Sequence, residues 1–232
     1  MRLAVGGAAN SNEHVIGCGP CTKEATRALR AREELHHLAI RGLVDRDHRN
    51  EQEVAALQES GIAVPDVAEV EGLYCLPEVL LAVARQSKSE DPVSRVEAAK
   101  RAVWDEFSKQ IGQQSLERAL AQVQFGLAGF GPRIAGADVA GLEAELVSHV
   151  ERLNVSAVAT ECRTRLEGIV SERDYGEALK HFNCKGLITF VTRPFGLRPE
   201  AFITMVNGLI RDEPDGEVAQ AMRNAIKRPD AA

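Results

Sequence analysis

The sequence predicts an α/β domain followed by a mostly helical region. Up to Gln86, short apolar runs alternate with helical stretches, which is the order of strands and helices in a parallel α/β sheet. Beyond Gln86, apolar residues recur at helical spacing. With 232 residues and 44% hydrophobic content, the chain can bury a sizeable core. We therefore predict an α/β domain in residues 1–86 and a helical region in residues 87–232, either packed on the same core or forming an appendage.

In the α/β domain, the predicted elements follow one another closely. Residues 21–39 predict a helix, because their apolar side chains can share one buried stripe. Residues 40–44 form an apolar run that is typical of a strand. The polar stretch 48–60, with apolar residues spaced through it, predicts a second helix, and residues 61–64 predict a second strand. The order strand, helix, strand favours two parallel neighbours in one sheet.

The helical region is predicted to begin with a long helix over residues 93–123. Its apolar residues lie three or four positions apart, at Val96, Ala99, Val103, Phe107 and Ile111. The glycine-rich stretch 126–141 predicts a turn or hinge. Residues 227–232 are expected to fray. Further helices are predicted at residues 139–153, 155–170, 174–182, 199–210 and 217–226.

Two aspartates follow the apolar run at residues 40–44, the first predicted strand. Asp45 and Asp47 are separated by one residue where a strand gives way to a loop, so their side chains can share a face. A second acidic element, with Glu69 and Glu71, follows the next predicted strand. Because ligands bind outside the carboxyl ends of strands in open α/β sheets, both elements are expected at one edge. Hard oxygen ligands of this kind suit Mg²⁺ or Mn²⁺.

The acidic segments resemble a known family. The runs G-L-V-D-R-D-H-R-N at residues 42–50 and E-V-E-G-L-Y-C-L-P-E-V-L at 69–80 resemble the second half of a Toprim domain. The similar domains are those of overcoming-lysogenization-defect (OLD) nucleases, and related domains attached to, or encoded beside, ABC-type ATPases. The resemblance covers residues 15–84, with a later echo, F-N-C-K-G-L-I, at 182–188.

The resemblance implies a role for each residue of the candidate site. Asp45 and Asp47 correspond to the family's metal-binding D-x-D pair, and Glu71, together with Glu69, to its additional acid. Lys185 corresponds to a lysine placed near the phosphate. The implied cofactor is Mg²⁺ or Mn²⁺, and the implied activity is metal-dependent cleavage of DNA or RNA. The resemblance also implies that the protein acts together with an ABC-type ATPase in phage defence or repair.

One departure from the family leaves two alternatives open. The family has a glutamate after its first strand, whereas this sequence begins M-R-L-A-V-G-G and has no acid before Glu13. Either the sequence starts after that motif, and an upstream Val-Glu-Gly completes a nuclease, or the motif has been lost. In the second case the chain is a non-catalytic Toprim-like module that docks on an ATPase. We expect the 232-residue chain alone to cleave nucleic acid poorly.

Cys18 and Cys21 support a different alternative, a thioredoxin-like thiol oxidoreductase. They form a C-x-x-C at the start of a predicted helix, a position that lowers a thiol pKa, and Val64-Pro65 follows at the distance of that family's proline. However, no tryptophan precedes Cys18, and too little chain lies upstream for the opening strand and helix of a thioredoxin. A structural role for the two cysteines is therefore favoured.

Composition and the remaining motifs narrow the function classes further. Five cysteines at irregular spacing favour a reducing compartment, the cytoplasm, and no signal peptide or membrane-spanning stretch is visible. The net charge of −6 argues against broad non-specific binding of nucleic acid. No P-loop occurs, so ATP hydrolysis would need another polypeptide. The partners that the resemblance implies are a nucleic-acid substrate and an ABC-type ATPase; a homo-oligomer is an option, and no membrane is expected.

Two other kinds of site are disfavoured. A structural zinc site needs Cys or His ligands in paired spacing. In this sequence Cys75, Cys162 and Cys184 are isolated, and His36 and His37 are adjacent in a predicted helix. A base-stacking platform lacks aromatic residues, since Trp104 and the phenylalanines lie mostly at core spacing.

Overall fold

Two short parallel strands begin the part of the chain that the computed structural model describes, which is residues 42–131 and 138–227. Strand β1, Gly42–Leu43, and strand β2, Ile62–Pro65, are joined by helix α1, Glu51–Glu59. Gly42 lies opposite Ile62 in a parallel register. The predicted α/β class, with a parallel strand pair and a mostly helical remainder, is confirmed.

A capping box explains where α1 starts. The Asn50 side chain accepts a hydrogen bond from the Glu53 N–H at 2.9 Å, and the Glu53 carboxylate accepts from the Asn50 N–H at 2.9 Å. This arrangement satisfies two backbone donors that a helix start leaves unpaired. The D-x-D sequence therefore sits between the end of β1 and a firmly capped helix.

The rest of the described chain is helical. A 3₁₀ helix spans Val70–Cys75, and a second one, Arg193–Phe195, follows α7. The α-helices are α2, Pro77–Gln86; α3, Pro92–Ala128; α4, Val139–Leu153; α5, Val155–Glu172; α6, Tyr175–His181; α7, Leu187–Thr192; α8, Pro199–Asp212; and α9, Glu217–Ala225. The bounds of α4 match the predicted ones. Aspartate or asparagine side chains cap the N-termini of α3 to α6, which is why these starts are readable from sequence.

Several elements differ from the sequence-based expectations. Helix α2 was not predicted, and α3 continues to Ala128, into the stretch 126–141 where a turn or hinge was predicted. The helix predicted over residues 217–226 ends at Ala225, and Ile226–Lys227 forms strand β3, which pairs antiparallel with β2. Lys227, expected in a frayed tail, thus belongs to the sheet. Helix α7 was not predicted, because six residues after a glycine at φ +92° are too short for a periodic pattern.

One hydrophobic core joins residues from both sides of Gln86. It reaches from Ala63 and Leu73 to Phe202 and Ile226. Of the predicted stripe on α3, Val96, Ala99, Val103 and Phe107 are buried, and Ile111 packs against the core. Trp104 packs edge-to-face against Tyr175, with ring centroids 6.2 Å apart.

A buried polar chain connects α3 with α6. The Arg118 Nη2 lies 2.7 Å from Nδ1 of His181, and the Nε2 of His181 lies 3.0 Å from a carboxylate oxygen of Glu177. Because arginine can only donate, Nδ1 is the acceptor and Nε2 carries the proton that is donated to Glu177. Burial, followed by the charge of Arg118, lowers the pKa of His181 to about 2. The neutral ring thus bridges Arg118 and Glu177 through two hydrogen bonds.

The far end of α3 and the whole of α4 are much less covered. Within the described residues, α4 has no buried side chain. Large apolar side chains are exposed on both helices, at Leu116, Leu120, Phe125, Leu127, Val139, Leu142, Leu146, Val147 and Val150. None of the described helices is long and apolar enough to cross a membrane.

Candidate metal centre

The D-x-D loop runs beside the chain that follows β2. The Val44 N–H donates to the Ala63 carbonyl at 3.2 Å, and the Asp47 N–H donates to the Ala68 carbonyl at 2.8 Å. These hydrogen bonds extend the parallel contact beyond the strands themselves. Both acidic elements therefore lie at the carboxyl ends of β1 and β2, as predicted.

Asp45 is tied directly to the second acidic element. Its Oδ1 accepts a hydrogen bond from the Val70 N–H at 2.6 Å, across 25 residues of sequence. Val70 is the first residue of the 3₁₀ helix that also carries Glu71, and Glu69 precedes it. One carboxylate oxygen of Asp45 thus fixes the position of the neighbouring acids.

Asp47 is held in a tight turn closed by Arg49. Its φ is +50°, a left-handed conformation that aspartate tolerates better than most residues. The Arg49 Nη1 donates to the Asp47 Oδ2 at 2.8 Å and to the Asp45 carbonyl at 2.8 Å. Arg49 therefore partly neutralises Asp47 and stabilises the loop that presents both aspartates.

Arg46, between the two aspartates, points the opposite way. Its side chain is 1% exposed and lies 2.6 Å from a Glu51 carboxylate oxygen and 3.6 Å from one of Asp66. Arg46 is thus buried, whereas Asp45 and Asp47 on either side of it are partly exposed. This arginine anchors the loop in the interior, a role that sequence reasoning missed because buried arginines are rare.

The pKa of Glu69 is shifted by the charges of the other predicted site residues. Burial, then the charges of Asp45 and Asp47, raises the pKa of Glu69 to about 7; Lys185 lowers it, and Glu71 adds a smaller increase. The Oε1 of Glu69 is buried and has no hydrogen-bond partner within the described chain. Three carboxylates, Asp45, Asp47 and Glu71, and one lysine, Lys185, thus lie close enough to Glu69 to shift its pKa.

The other predicted residues differ in exposure. Glu71 is exposed in the first turn of its 3₁₀ helix. Lys185 is exposed in the connection between α6 and α7. His48, next to Asp47, has its pKa lowered, first by burial and then by the charge of Arg118. Neither His48 nor Arg46 was identified as part of the site from the sequence.

The donor set fits a hard divalent cation. All candidate ligands supply carboxylate oxygens, and the unpartnered Oε1 of Glu69 is an acceptor that a cation would satisfy. Among the described residues, no three His, Cys, Asp or Glu side chains are grouped closely enough to hold a metal ion. The residues that would hold Mg²⁺ or Mn²⁺ stay those selected from the sequence, Asp45, Asp47, Glu69 and Glu71, and their side chains are not drawn together into a ligand set in this structure.

Of the residues considered for thiol or zinc chemistry, Cys75, Cys162 and Cys184 fall within the described part of the chain. Cys18, Cys21, His36 and His37 are outside the described residues. Cys75 is buried, and burial raises the pKa of its thiol, which suits a core residue rather than a nucleophile.

These features define a class: an α/β protein with an acidic cluster at the carboxyl ends of two parallel strands. Comparisons with protein-family models, with curated proteins and with solved structures found no match. The functional argument therefore depends on the cluster itself.

The raised pKa of Glu69 predicts a pH-dependent stability difference for Glu69→Gln. The folded protein holds the Glu69 proton more tightly than the unfolded chain, so the wild type loses stability as pH rises from 4.5 through about 7. Glutamine mimics the protonated acid and avoids this loss. Because Glu69 is only half-buried, we expect the variant to be more stable at pH 8 by on the order of 1 kcal/mol.

Urea unfolding at pH 4.5 and pH 8 measures this difference, which should be near zero at the lower pH. The control is Glu213→Gln, an exposed glutamate at the end of α8, for which no pH-dependent gain is expected. An equal gain for Glu69→Gln at both pH values would contradict the assigned environment.

Proposed function

We propose that this chain is a Toprim-type, metal-dependent nuclease that cleaves phosphodiester bonds in DNA or RNA and acts with an ABC-type ATPase. The observation that supports it best is that Asp45 and Asp47 follow β1, that Glu69 and Glu71 follow β2, and that the Asp45 Oδ1 accepts a hydrogen bond from the Val70 N–H, between the two glutamates, at 2.6 Å. The family resemblance supplies the ATPase partner and the phage-defence setting.

Each residue has a distinct chemical task in this proposal. Asp45, Asp47 and Glu71 would bind Mg²⁺ or Mn²⁺ through carboxylate oxygens. When bound, the ion polarises a phosphoryl oxygen and lowers the pKa of a coordinated water. Lys185 offsets negative charge on the phosphate. Glu69, with its pKa near neutral pH, is able to exchange a proton beside the reacting phosphate or to complete the ligand set.

The test is cleavage of plasmid and single-stranded DNA in the presence of Mn²⁺. We expect slow cleavage that a chelator stops and that Asp47→Asn abolishes, because this substitution removes a charged ligand without changing its size. The matched control is Asp215→Asn, which makes the same change at an aspartate whose side chain is 94% exposed, in the connection between α8 and α9. Equal cleavage by wild type and Asp47→Asn would refute the proposal.

A second candidate function is a non-catalytic interaction module that docks on an ATPase. The observation that favours it is the apolar exposure of α4, where Val139, Leu142, Leu146 and Val150 lie at helical spacing. Absence of Mn²⁺-dependent cleavage and of Mn²⁺ binding, together with loss of ATPase binding in Leu142→Glu, would favour the module over the enzyme.

A further inference from the structure

The segment that carries Lys185 is clamped by one glutamine of the long helix. Gln114 on α3 is 2% exposed. Its Nε2 donates to the Asn183 carbonyl at 2.9 Å, and its Oε1 accepts from the Asn183 N–H at 3.1 Å. The side-chain amide therefore pairs with both backbone groups of Asn183, as a neighbouring strand would.

The side chain of Asn183 extends the clamp to the D-x-D loop. Its Nδ2 lies 3.4 Å from Nε2 of His48, which directly follows Asp47. Gln114 and Asn183 lie 69 positions apart in the sequence, and Asn183 and His48 lie 135 positions apart. The three residues therefore connect distant segments of the chain. The contact joins the Lys185 segment to the metal-binding aspartates through a single residue.

The chain on both sides of Lys185 is restrained as well. Phe182 is buried and stacks on Phe107 of α3, with centroids 4.7 Å apart. Gly186, at φ +92°, starts α7. These contacts restrain the backbone on both sides of Lys185. Its own side chain is exposed, so the ammonium group stays accessible. Gln114 fixes the backbone of Asn183, two residues before Lys185, and Phe182 and Gly186 restrain the chain on either side.

We propose that Gln114 is a positioning residue, which holds Lys185 in register with the D-x-D loop so that one phosphate can meet both the lysine and the carboxylates. The inference rests on the proposed nuclease function. It predicts that Gln114 affects nucleic-acid binding through Lys185 and not through the metal ligands.

A double-mutant cycle with Gln114→Met and Lys185→Met tests the proposal. The probe is a fluorescein-labelled oligothymidylate in Mn²⁺, and its affinity is measured by anisotropy. Each single substitution should weaken binding about tenfold, and the double variant should bind no more weakly than Lys185→Met. Affinity for Mn²⁺ alone should not change. Gln113→Met, at the exposed neighbouring position on α3, is the matched control.

Amide hydrogen exchange provides the readout that does not need nucleic acid. The Asn183 N–H should exchange faster in Gln114→Met, because it loses its acceptor, whereas Gln113→Met should leave its exchange unchanged. Additive losses of affinity in the cycle, or unchanged exchange and affinity in Gln114→Met, would overturn the positioning role alone. Failure of the wild type to bind the oligonucleotide would instead overturn the proposed function, and this inference with it.

Should Gln114→Met not fold, Gln114→Glu takes its place in the cycle. This variant replaces the donor to the Asn183 carbonyl by a second oxygen, so it weakens the clamp while keeping the side-chain length. Coupling between Gln114→Glu and Lys185→Met supports the proposal, and independence contradicts it.

Discussion

Asp45→Asn and Asp47→Asn should each weaken Mn²⁺ binding by at least about 100-fold. Loss of a residue that only hydrogen-bonds to a metal ligand costs up to about that much, and loss of a ligand itself should cost no less. The reason is that each substitution removes one negative oxygen ligand from a cluster that is otherwise unchanged. Calorimetry at pH 8, where Glu69 is mostly ionised, measures the affinity directly. The wild type should release few protons on binding at this pH.

The asparagine at position 45 keeps the structural hydrogen bond. Its side-chain oxygen can still accept from the Val70 N–H, so the position of the second acidic element should be retained. Asp215→Asn, far out in solvent, serves again as the control for a general loss of charge. Equal Mn²⁺ affinity in wild type and Asp45→Asn would remove Asp45 from the site while leaving the fold description intact.

Phe107→Ala should lower the free energy of unfolding by about 3–5 kcal/mol, the usual cost of truncating a buried phenylalanine. Phe107 is completely buried, and its ring stacks on Phe182 at an interplanar angle of 18°. The loss therefore combines a cavity with a broken aromatic contact between α3 and the Lys185 segment. Urea unfolding followed by circular dichroism measures the change.

Phe125→Ala is the matched control for this prediction. Phe125 lies on the same helix but is 47% exposed, so its truncation should cost less than about 1 kcal/mol. If the two substitutions destabilised the protein equally, the assignment of the core to the first half of α3 would be wrong.

The helical part of the fold was predictable because its signals are local. Asp138 and Asn154 cap the starts of α4 and α5, and the stripe from Val96 to Phe107 repeats at the helical period. Strand β3 was not predictable, because the pairing of Pro65 with Ile226 joins residues that are far apart in sequence. Short helices such as α7 depend on tertiary packing in the same way.

The candidate site was predictable in its acids but not in its supports. Alternation after an apolar run was enough to select Asp45 and Asp47 as a pair. The roles of Arg46, His48 and Gln114 depend on partners in distant segments, and polar residues of these types are mostly exposed, so composition gives no signal for them. The role of Lys185 beside a phosphate stays a prediction of the family resemblance.

The neutral ring of His181 has a consequence for how acidification acts on this protein. Its Nε2–H donates to Glu177 and its Nδ1 accepts from Arg118, so the ring keeps one tautomer for as long as it stays neutral. Glu69, by contrast, changes charge near pH 7. A fall in pH through about 7 would therefore leave the junction of α3 and α6 unaltered and add a proton to Glu69, which lowers the negative charge of the acidic segments without loosening the helices that support them.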